Sequence, residues 1–366
     1  MNRRIAVSLF VGTLVSIIGL YLAFRNVPFL ELYRYIKSIN YFWTIPAAMV
    51  VILSFLLRAL RWRLMLTISQ PVSFWEAFHP LMTGFMINCV LPGRVGEVAR
   101  PVITQKNSGI PFPAGIASVA AERIFDVVIL LGLFAGLVMN MEFDRSAEVA
   151  FGGITLDKAM LDRATLGVVQ VFAVLIAGIT VICIPRFRKK IGLGIQKIPA
   201  MLFFLGPSGK HFIHERICMP LIAFLDHTAF GFSFLRYPKK VISCAALTCA
   251  IWILAAASYF LVAMGCPGIS LSLLEFFIVM VIVCFFIVLP SVPGYWGLWE
   301  AGGVFALVLF GIDHKDAAGF TLVNHAVQIF PVIVIGFISA VLISVDISRF
   351  SWSRKNESTI LEGEKI

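Results

Sequence analysis

Charged residues are scarce in this sequence of 366 residues: Asp, Glu, Lys and Arg make up only 14%, whereas hydrophobic residues make up 60%. A soluble domain carries about a quarter charged residues, so the composition excludes an ordinary soluble fold and indicates an integral membrane protein. The net charge of +10 does not require a nucleic-acid partner, because Lys and Arg collect in the cytoplasmic loops of membrane proteins and face anionic lipid.

Motifs of metalloenzymes and redox proteins are also missing. The histidines lack the HExxH spacing of a zinc protease, and the cysteines form no CxxC pair. We therefore predict no metal site and no cofactor, and we interpret the cysteines as small buried hydrophobic residues. The seven are Cys89, Cys183, Cys218, Cys244, Cys249, Cys266 and Cys284.

Long apolar runs recur along the chain, and each predicts a membrane segment. They cover residues 5–24, 41–57, 74–90, 110–139, 164–184, 241–264, 271–289, 301–312 and 317–345. A short polar loop is expected after the first run. In the mixed segment 186–240, two apolar pieces at 198–205 and 219–235 predict amphipathic helices on the cytoplasmic membrane surface.

The distribution of charge predicts which loops are cytoplasmic. Arg58 and Arg61, at the end of the second run, are interpreted as markers of a cytoplasmic end, and the basic run 186–190 is another. The acid-rich loop 141–163 is expected on the outer side, and residues 346–366 are expected to form a cytoplasmic tail. Both termini are therefore predicted to be cytoplasmic.

Counting crossings between these loops predicts two halves of opposite orientation. The simplest solution places one helical hairpin at 74–107, entered from the cytoplasm, and another at 271–312, entered from outside. Each half, 1–140 and 164–345, then has two spans, a re-entrant hairpin and a further span. The predicted fold is an all-α polytopic membrane protein with an inverted-topology repeat, as in many secondary transporters. Two complete spans in place of either hairpin satisfy the same count.

Both predicted hairpins turn at a Pro-Gly pair that is followed by a second glycine and a glutamate. The residues are Pro92, Gly93, Gly96 and Glu97 in the first hairpin, and Pro293, Gly294, Gly297 and Glu300 in the second. Backbone freed by such a break must be buried in protein or line a wet cavity. A helix that began at Gly93 would direct free N–H groups into the membrane interior, where they form an anion site.

Charged side chains near the first turn are the candidate substrate-binding residues, since charges inside a membrane are costly and usually functional. The basic candidates are Arg94, Arg100 and Arg123, and the acidic ones are Glu97, Glu122 and Asp126. The arginines are predicted to bind a lipid headgroup, because a guanidinium grips phosphate through two hydrogen bonds. The carboxylates would be their counter-ions or proton carriers. The alternative is a closed ion network that holds the hairpin to the next helix.

The second turn is aromatic, with Tyr295, Trp296 and Trp299. These rings are candidates to line an acyl-chain path, and an interfacial aromatic belt is the alternative.

A polar group on the last span, Asn324, His325 and Gln328, either donates to a headgroup or forms interhelical hydrogen bonds. When the two halves are aligned on their Pro-Gly turns, Glu122 corresponds to Asn324. Polar residues therefore recur at matching places in both halves.

These motifs resemble the flippase-like transmembrane domain family, the membrane part of lysylphosphatidylglycerol synthases and of their stand-alone relatives. The resemblance covers nearly the whole chain, through the segments 91–97 and 122–126 and the second Pro-Gly turn. It implies movement of a lipid or lipid-linked headgroup between the leaflets of a prokaryotic cytoplasmic membrane. The synthases carry an aminoacyltransferase domain after the membrane part, whereas this chain stops at Ile366, so no lysyl transfer is expected.

Three functions are therefore considered. A lipid flippase that works by alternating access is favoured over a membrane enzyme acting on a lipid-linked substrate, because Glu97 and Glu122 are the only acid–base pair such an enzyme could use. The third is a structural partner of a separately encoded lipid-modifying synthase. The expected partners are membrane lipids, with that synthase and a second copy of the chain as further candidates.

Overall fold

The computed structural model describes residues 3–67, 70–140, 149–151, 154–156, 166–167, 170, 173–174, 177–178, 184–202, 206–222 and 237–344. Within these ranges the backbone is helical apart from connections and one small antiparallel hairpin, in which β1 (Val149–Phe151) pairs with β2 (Ile154–Leu156). The prediction of a helical membrane protein is confirmed in this general form.

The first helix is α1 (Arg3–Phe24), which covers the first apolar run. The polar loop expected after it is instead a helix, α2 (Phe29–Ser38), bent by 78° from α1. Leu32 and Tyr35 are buried on one face of α2, and its charged residues are exposed on the other. The prediction of a loop was wrong because these charges lie on one side of an amphipathic helix.

Helix α3 (Thr44–Leu66) is longer than the predicted span 41–57. Arg58 and Arg61 lie within this helix and are buried, with 9% and 0% of their surface exposed. Such burial does not fit side chains that face the cytoplasm as markers of a span end, and the side of the membrane on which this end of α3 lies stays a prediction. Buried arginines inside an apolar helix require partners in the protein, and those of Arg61 are described with the site below.

The first Pro-Gly break separates α4 (Phe74–Val90) from α5 (Gly96–Ser108). A capping box starts α4: the Ser73 hydroxyl accepts a hydrogen bond from the Glu76 N–H, and the Glu76 carboxylate accepts one from the Ser73 N–H. The two helices approach so closely that the backbone of α5 meets that of α4 without an intervening side chain.

Helix α6 (Phe112–Asn140) follows and carries Glu122 and Asp126. Most of the predicted outer loop and the span after it, residues 141–184, lie outside the described residues. The segment predicted to be cytoplasmic begins with α7 (Pro185–Met201), which starts earlier than the predicted piece at 198. Helix α8 (Pro207–Ile213) follows and continues into a π-helical turn. Residues 223–236 and the predicted tail 346–366 also lie outside the described residues.

The second half contains α9 (Pro238–Met264), α10 (Leu273–Val288), α11 (Leu298–Leu309) and α12 (His314–Leu342). The second Pro-Gly break lies between α10 and α11, at a short 3₁₀ turn, Pro293–Tyr295. Helix α10 begins with the same kind of capping box as α4, here formed by Ser272 and Glu275.

Three helices of the described chain are long and apolar enough to cross a membrane: Tyr41–Leu66, Pro238–Met264 and His314–Leu342. The bent pair of α1 and α2 would be a fourth span if it crosses as one unit. Helix α3 packs along α9, and α12 packs against both α4 and α11. Because α12 contacts one helix of each hairpin, it brings the two Pro-Gly breaks to the same region of the protein.

The two capping boxes lead to a matched pair of predictions. Ser73→Ala and Ser272→Ala should each lower the free energy of unfolding by about 1 kcal/mol, because each removes the acceptor of a helix-terminal N–H. Thermal unfolding of the purified protein in detergent measures this loss. Ser243→Ala is the control, since that exposed hydroxyl donates only to the Lys239 carbonyl oxygen within α9. Equal stability of all three variants would contradict a role for the capping boxes.

Candidate functional site at the two hairpin turns

The first turn holds two consecutive residues in the left-handed backbone region. Gly93 has φ of 82° and Arg94 has φ of 54°, and such a φ is strained for a residue other than glycine unless its contacts hold it. Helix α5 therefore begins at Gly96, and the predicted start at Gly93 is wrong. The Gly96 N–H donates to Oδ1 of Asn88 at 2.7 Å, so this N–H is not available to an anion.

Arg94 extends from the first turn to the second hairpin. Its Nη2 donates to the carbonyl oxygen of Ile287 at 2.6 Å, 193 residues away in sequence. Its guanidinium carbon lies 6.0 Å from the ring centre of Tyr295. These contacts hold the strained backbone of Arg94 and join the two hairpin turns directly.

The second turn repeats the backbone pattern of the first. Gly294 has φ of 73° and Tyr295 has φ of 63°, and Gly297 follows with φ of 90°. Glu300 is fully buried and caps α11, because its Oε2 accepts the Gly297 N–H at 2.6 Å. In each turn, then, a glycine and its successor make a reversal that a regular helix cannot make.

His325 on α12 is fully buried and ties the second turn to α11. Its Nε2 lies 2.9 Å from the Gly294 carbonyl oxygen, and its Nδ1 lies 2.6 Å from Oε1 of Glu300. A carbonyl oxygen can only accept, so Nε2 carries a proton and a second proton lies between Nδ1 and the carboxylate. The sequence left His325 either as a headgroup donor or in interhelical hydrogen bonds, and it could not show that Glu300 lies beside it.

The aromatic residues of the second turn enclose this histidine. The ring centres of Trp296 and Trp299 lie 4.4 and 4.6 Å from the imidazole centre, and the Trp299 ring is parallel to it. Trp296 is 41% exposed, so it also forms part of the protein surface. Both indoles therefore contact His325 directly.

Asn324 and Gln328 form the interhelical hydrogen bonds considered as the alternative to headgroup contact. The Gln328 side-chain amide donates to Oγ of Ser258 on α9 at 2.7 Å and to Oδ1 of Asn324 at 3.3 Å. Asn324 is 1% exposed. These hydrogen bonds connect α12 to α9.

Arg61 is bound by the acidic pair on α6. Its guanidinium donates to both carboxylate oxygens of Asp126, at 2.5 and 3.1 Å, and lies 3.3 Å from Glu122. Glu122 and Asp126, four residues apart on α6, therefore lie on the same face of that helix. Thr248 on α9 accepts another hydrogen bond from Arg61 at 2.8 Å.

Two further arginines complete this ion cluster. Arg100 on α5 is 2% exposed and lies 2.9 Å from Glu122. The side chain of Arg123 is 36% exposed and contacts Glu122 at 2.9 Å, Asp126 at 3.7 Å and Glu97 at 3.9 Å. Three arginines therefore share three carboxylates. The geometry corresponds to the closed ion network considered above, and it leaves the cluster electrically neutral.

The cysteines in the described part of the chain are free thiols, three of them buried. Cys183 lies outside the described residues. Burial raises the pKa of the Cys266 thiol, in the connection between α9 and α10, to about 12, so this thiol is not ionised at neutral pH. This agrees with the interpretation of the cysteines as small hydrophobic residues.

Comparison with known proteins assigns the chain to a family. The family model described as the lysylphosphatidylglycerol synthase TM region matches residues 9–336. The chain belongs to this family. The matched range includes both Pro-Gly turns and the ion cluster, and it confirms the resemblance seen in the motifs.

Two curated relatives are similar in sequence. The glycosyltransferase AglD of Haloferax volcanii is 29% identical over 143 residues, which are 38% of this chain and 22% of the relative. This chain therefore spans less than a quarter of that protein. A UPF0104 membrane protein of Methanothermobacter thermautotrophicus is 25% identical over 358 residues, or 93% of each chain. No solved structure matches the chain.

Proposed function

We propose that this protein moves a phospholipid or a lipid-linked headgroup between the leaflets of a prokaryotic cytoplasmic membrane. Transport proceeds by alternating access around the two hairpin turns. The observation that carries the proposal is the contact between these turns, in which Arg94 bonds to the Ile287 carbonyl oxygen and lies against Tyr295. Family membership and the similarity to a glycosyltransferase both support a role with lipid-linked substrates.

An inverted repeat with re-entrant hairpins is part of this proposal, with both termini cytoplasmic. Three matches between the halves support it. Both hairpins begin at a Ser-x-x-Glu capping box, both turn through a glycine and a further residue at positive φ, and both continue with a glycine and a glutamate. In transporters with such repeats, substrate sites lie where broken helices meet near the membrane midplane.

The strength of the contacts indicates which part of the site moves. Arg94 is linked to the second hairpin by a hydrogen bond and a cation–π contact. Each is worth about 1 kcal/mol, so thermal motion can break them. By contrast, the ion cluster ties α3, α5 and α6 through several charged contacts. The turns open and close while the cluster keeps the first hairpin attached to its neighbours.

An accessory role beside a lipid-modifying enzyme is the second candidate. The match to AglD covers 38% of this chain and only 22% of that glycosyltransferase, so a segment similar to part of this chain occurs within a larger protein. In this alternative the chain presents a lipid-linked substrate to a separate enzyme and does not carry it across the membrane.

Reconstitution distinguishes the two candidates. Purified protein in liposomes should move fluorescent anionic or cationic lipid to the outer leaflet faster than empty liposomes, as measured by chemical quenching of the exposed label. Arg94→Ala should slow this movement by about tenfold, the factor that corresponds to 1.4 kcal/mol. The reason is that the variant destabilises the closed contact between the turns that each cycle must form.

Arg34→Ala is the matched control, because Arg34 is exposed on α2 and has no role in the proposed mechanism. It should transport at the wild-type rate. If no lipid changes leaflet faster than in empty liposomes, transport is refuted and the accessory role is favoured.

A further inference from the structure

Arg58 on α3 is buried but does not belong to the ion cluster. Only 9% of its surface is exposed, and in the part of the chain that the structure describes it has no carboxylate within ion-pair distance and its Nε has no hydrogen-bond partner. The three cluster carboxylates are already shared by three other arginines. Arg58 is therefore a buried positive charge in excess.

Aromatic rings surround this guanidinium. Its central carbon lies 5.2 Å from the ring centre of Trp252, 5.6 Å from that of Phe55 and 6.0 Å from that of Phe85. The Trp252 indole Nε1 is a second buried donor without an acceptor. Buried donors are almost always satisfied. The Nε atoms of Arg61, Arg100 and Arg123 also lack partners, but those three guanidiniums have ion pairs, whereas Arg58 has none among the described residues. The excess charge beside the Trp252 donor indicates that the missing acceptor is an anion.

An apolar surface groove adjoins this enclosure at Phe55. It lies between α3, α4 and α12 and is lined entirely by hydrophobic side chains, among them Val51, Met82 and Ile335. Phe55 borders both the groove and the guanidinium of Arg58. A ligand that occupies both places must have a hydrocarbon chain and an anionic group, and the Phe55 ring must turn to let that group enter.

We propose that Arg58 and Trp252 bind the phosphate group of an anionic phospholipid whose acyl chain lies in the groove. Guanidinium is suited to phosphate because its N–H groups match two phosphate oxygens, and the indole N–H supplies a further donor. This inference rests on the proposed function, since it names the substrate class and a binding site for it. It moves the headgroup site away from Arg100 and Arg123, whose charges are already neutralised.

Native mass spectrometry of the purified full-length protein tests the site, with phosphatidylglycerol and phosphatidylcholine as probes. Wild-type protein should bind phosphatidylglycerol more tightly than phosphatidylcholine. Arg58→Met should weaken phosphatidylglycerol binding by about tenfold or more, because a charge-assisted hydrogen bond is lost. Trp252→Phe keeps a ring but removes the N–H, and should weaken binding by about threefold.

Two controls separate a binding role from a structural one. Arg58→Met should not lower the melting temperature, since the variant removes a buried charge that has no counter-ion. Ile335→Phe should weaken phosphatidylglycerol binding although Arg58 is intact, because the larger ring fills the groove. Arg34→Met, on the exposed face of α2, should bind like wild type.

Equal binding of the two lipids to wild type would overturn the inference. So would unchanged phosphatidylglycerol binding in Arg58→Met. The results also distinguish a wrong assignment of this lipid site from a wrong assignment of transport. Transport in liposomes with no dependence of binding on Arg58 would refute the site alone, whereas Arg58-dependent binding without transport would refute movement of lipid alone.

Discussion

Glu122→Gln is expected to destabilise the protein by about 3–5 kcal/mol, the usual loss when one partner of a buried ion pair is removed. Oε2 of Glu122 lies 2.9 Å from Arg100, and Oε1 lies 2.9 Å from Arg123 and 3.3 Å from Arg61. A neutral amide cannot balance these guanidiniums, and its NH₂ group would face one of them. Thermal unfolding in detergent, followed by tryptophan fluorescence, measures the effect.

Glu97→Gln provides the matched control for this substitution. The Glu97 side chain is 31% exposed, and its one ion pair with Arg123 spans 3.9 Å. Exposed pairs contribute about 0–1 kcal/mol, so the control should unfold close to the wild-type temperature. An equal loss of unfolding free energy in Glu122→Gln and Glu97→Gln would show that burial of an ion pair does not determine how much it stabilises this protein.

A double variant tests the coupling within the cluster. Arg100→Met removes a charge that Glu122 neutralises, so Glu122→Gln should cost less in an Arg100→Met background than in the wild type. Interacting pairs of this kind show coupling energies of about 0.5–3 kcal/mol. Strict additivity of the two losses would contradict a direct interaction between Arg100 and Glu122.

Gly96→Ala is the second change with a large expected effect. A Cβ at this position would overlap the carbonyl oxygen of Gly84 and would lie 2.7 Å from Oδ1 of Asn88. The Gly84 oxygen belongs to the α4 backbone, so the two helices of the first hairpin must separate to admit a methyl group. We expect the free energy of unfolding to fall by about 3 kcal/mol, at the upper end for overpacking. The added methyl group would also strain the hydrogen bond from the Gly96 N–H to Asn88.

Gly192→Ala makes the same chemical change where there is room for it. Gly192 lies in α7, and nothing lies within 4 Å of a Cβ built there. Alanine is the better helix former by about 1 kcal/mol, so this variant should be as stable as wild type or slightly more stable. Thermal unfolding measures both variants, and a wild-type melting temperature for Gly96→Ala would refute close contact between α4 and α5.

Local sequence features predicted most helix boundaries correctly. The second hairpin was predicted from an apolar run, a Pro-Gly pair and a glycine, and its helices end and begin near those residues. The start of α5 was misplaced, because the strained φ of Arg94 depends on its bond to Ile287 in the other hairpin. Helix α2 was missed because its charged residues were interpreted as a polar loop, although Leu32 and Tyr35 recur at helical spacing.

The partners of the polar residues could not be predicted in the same way. Arg61 and Asp126 are 65 residues apart, and nothing near Arg61 in sequence distinguishes a cytoplasmic marker from the centre of an ion cluster. His325 likewise needed the fold to bring Glu300 to its Nδ1.

Hydrophobicity and backbone breaks act over a few neighbouring residues, which is why membrane helices and Pro-Gly turns can be recognised from sequence. A buried charge is stabilised by whichever opposite charge the fold brings within about 4 Å, and that distance depends on how distant helices pack. The membrane helices and the two Pro-Gly turns could therefore be predicted from the sequence, and the motifs at these turns gave the resemblance to the family that the comparison confirms. The neutral cluster around Arg61, and the unpaired Arg58 beside an apolar groove, were decided by the packing of α3 against α4, α6 and α9.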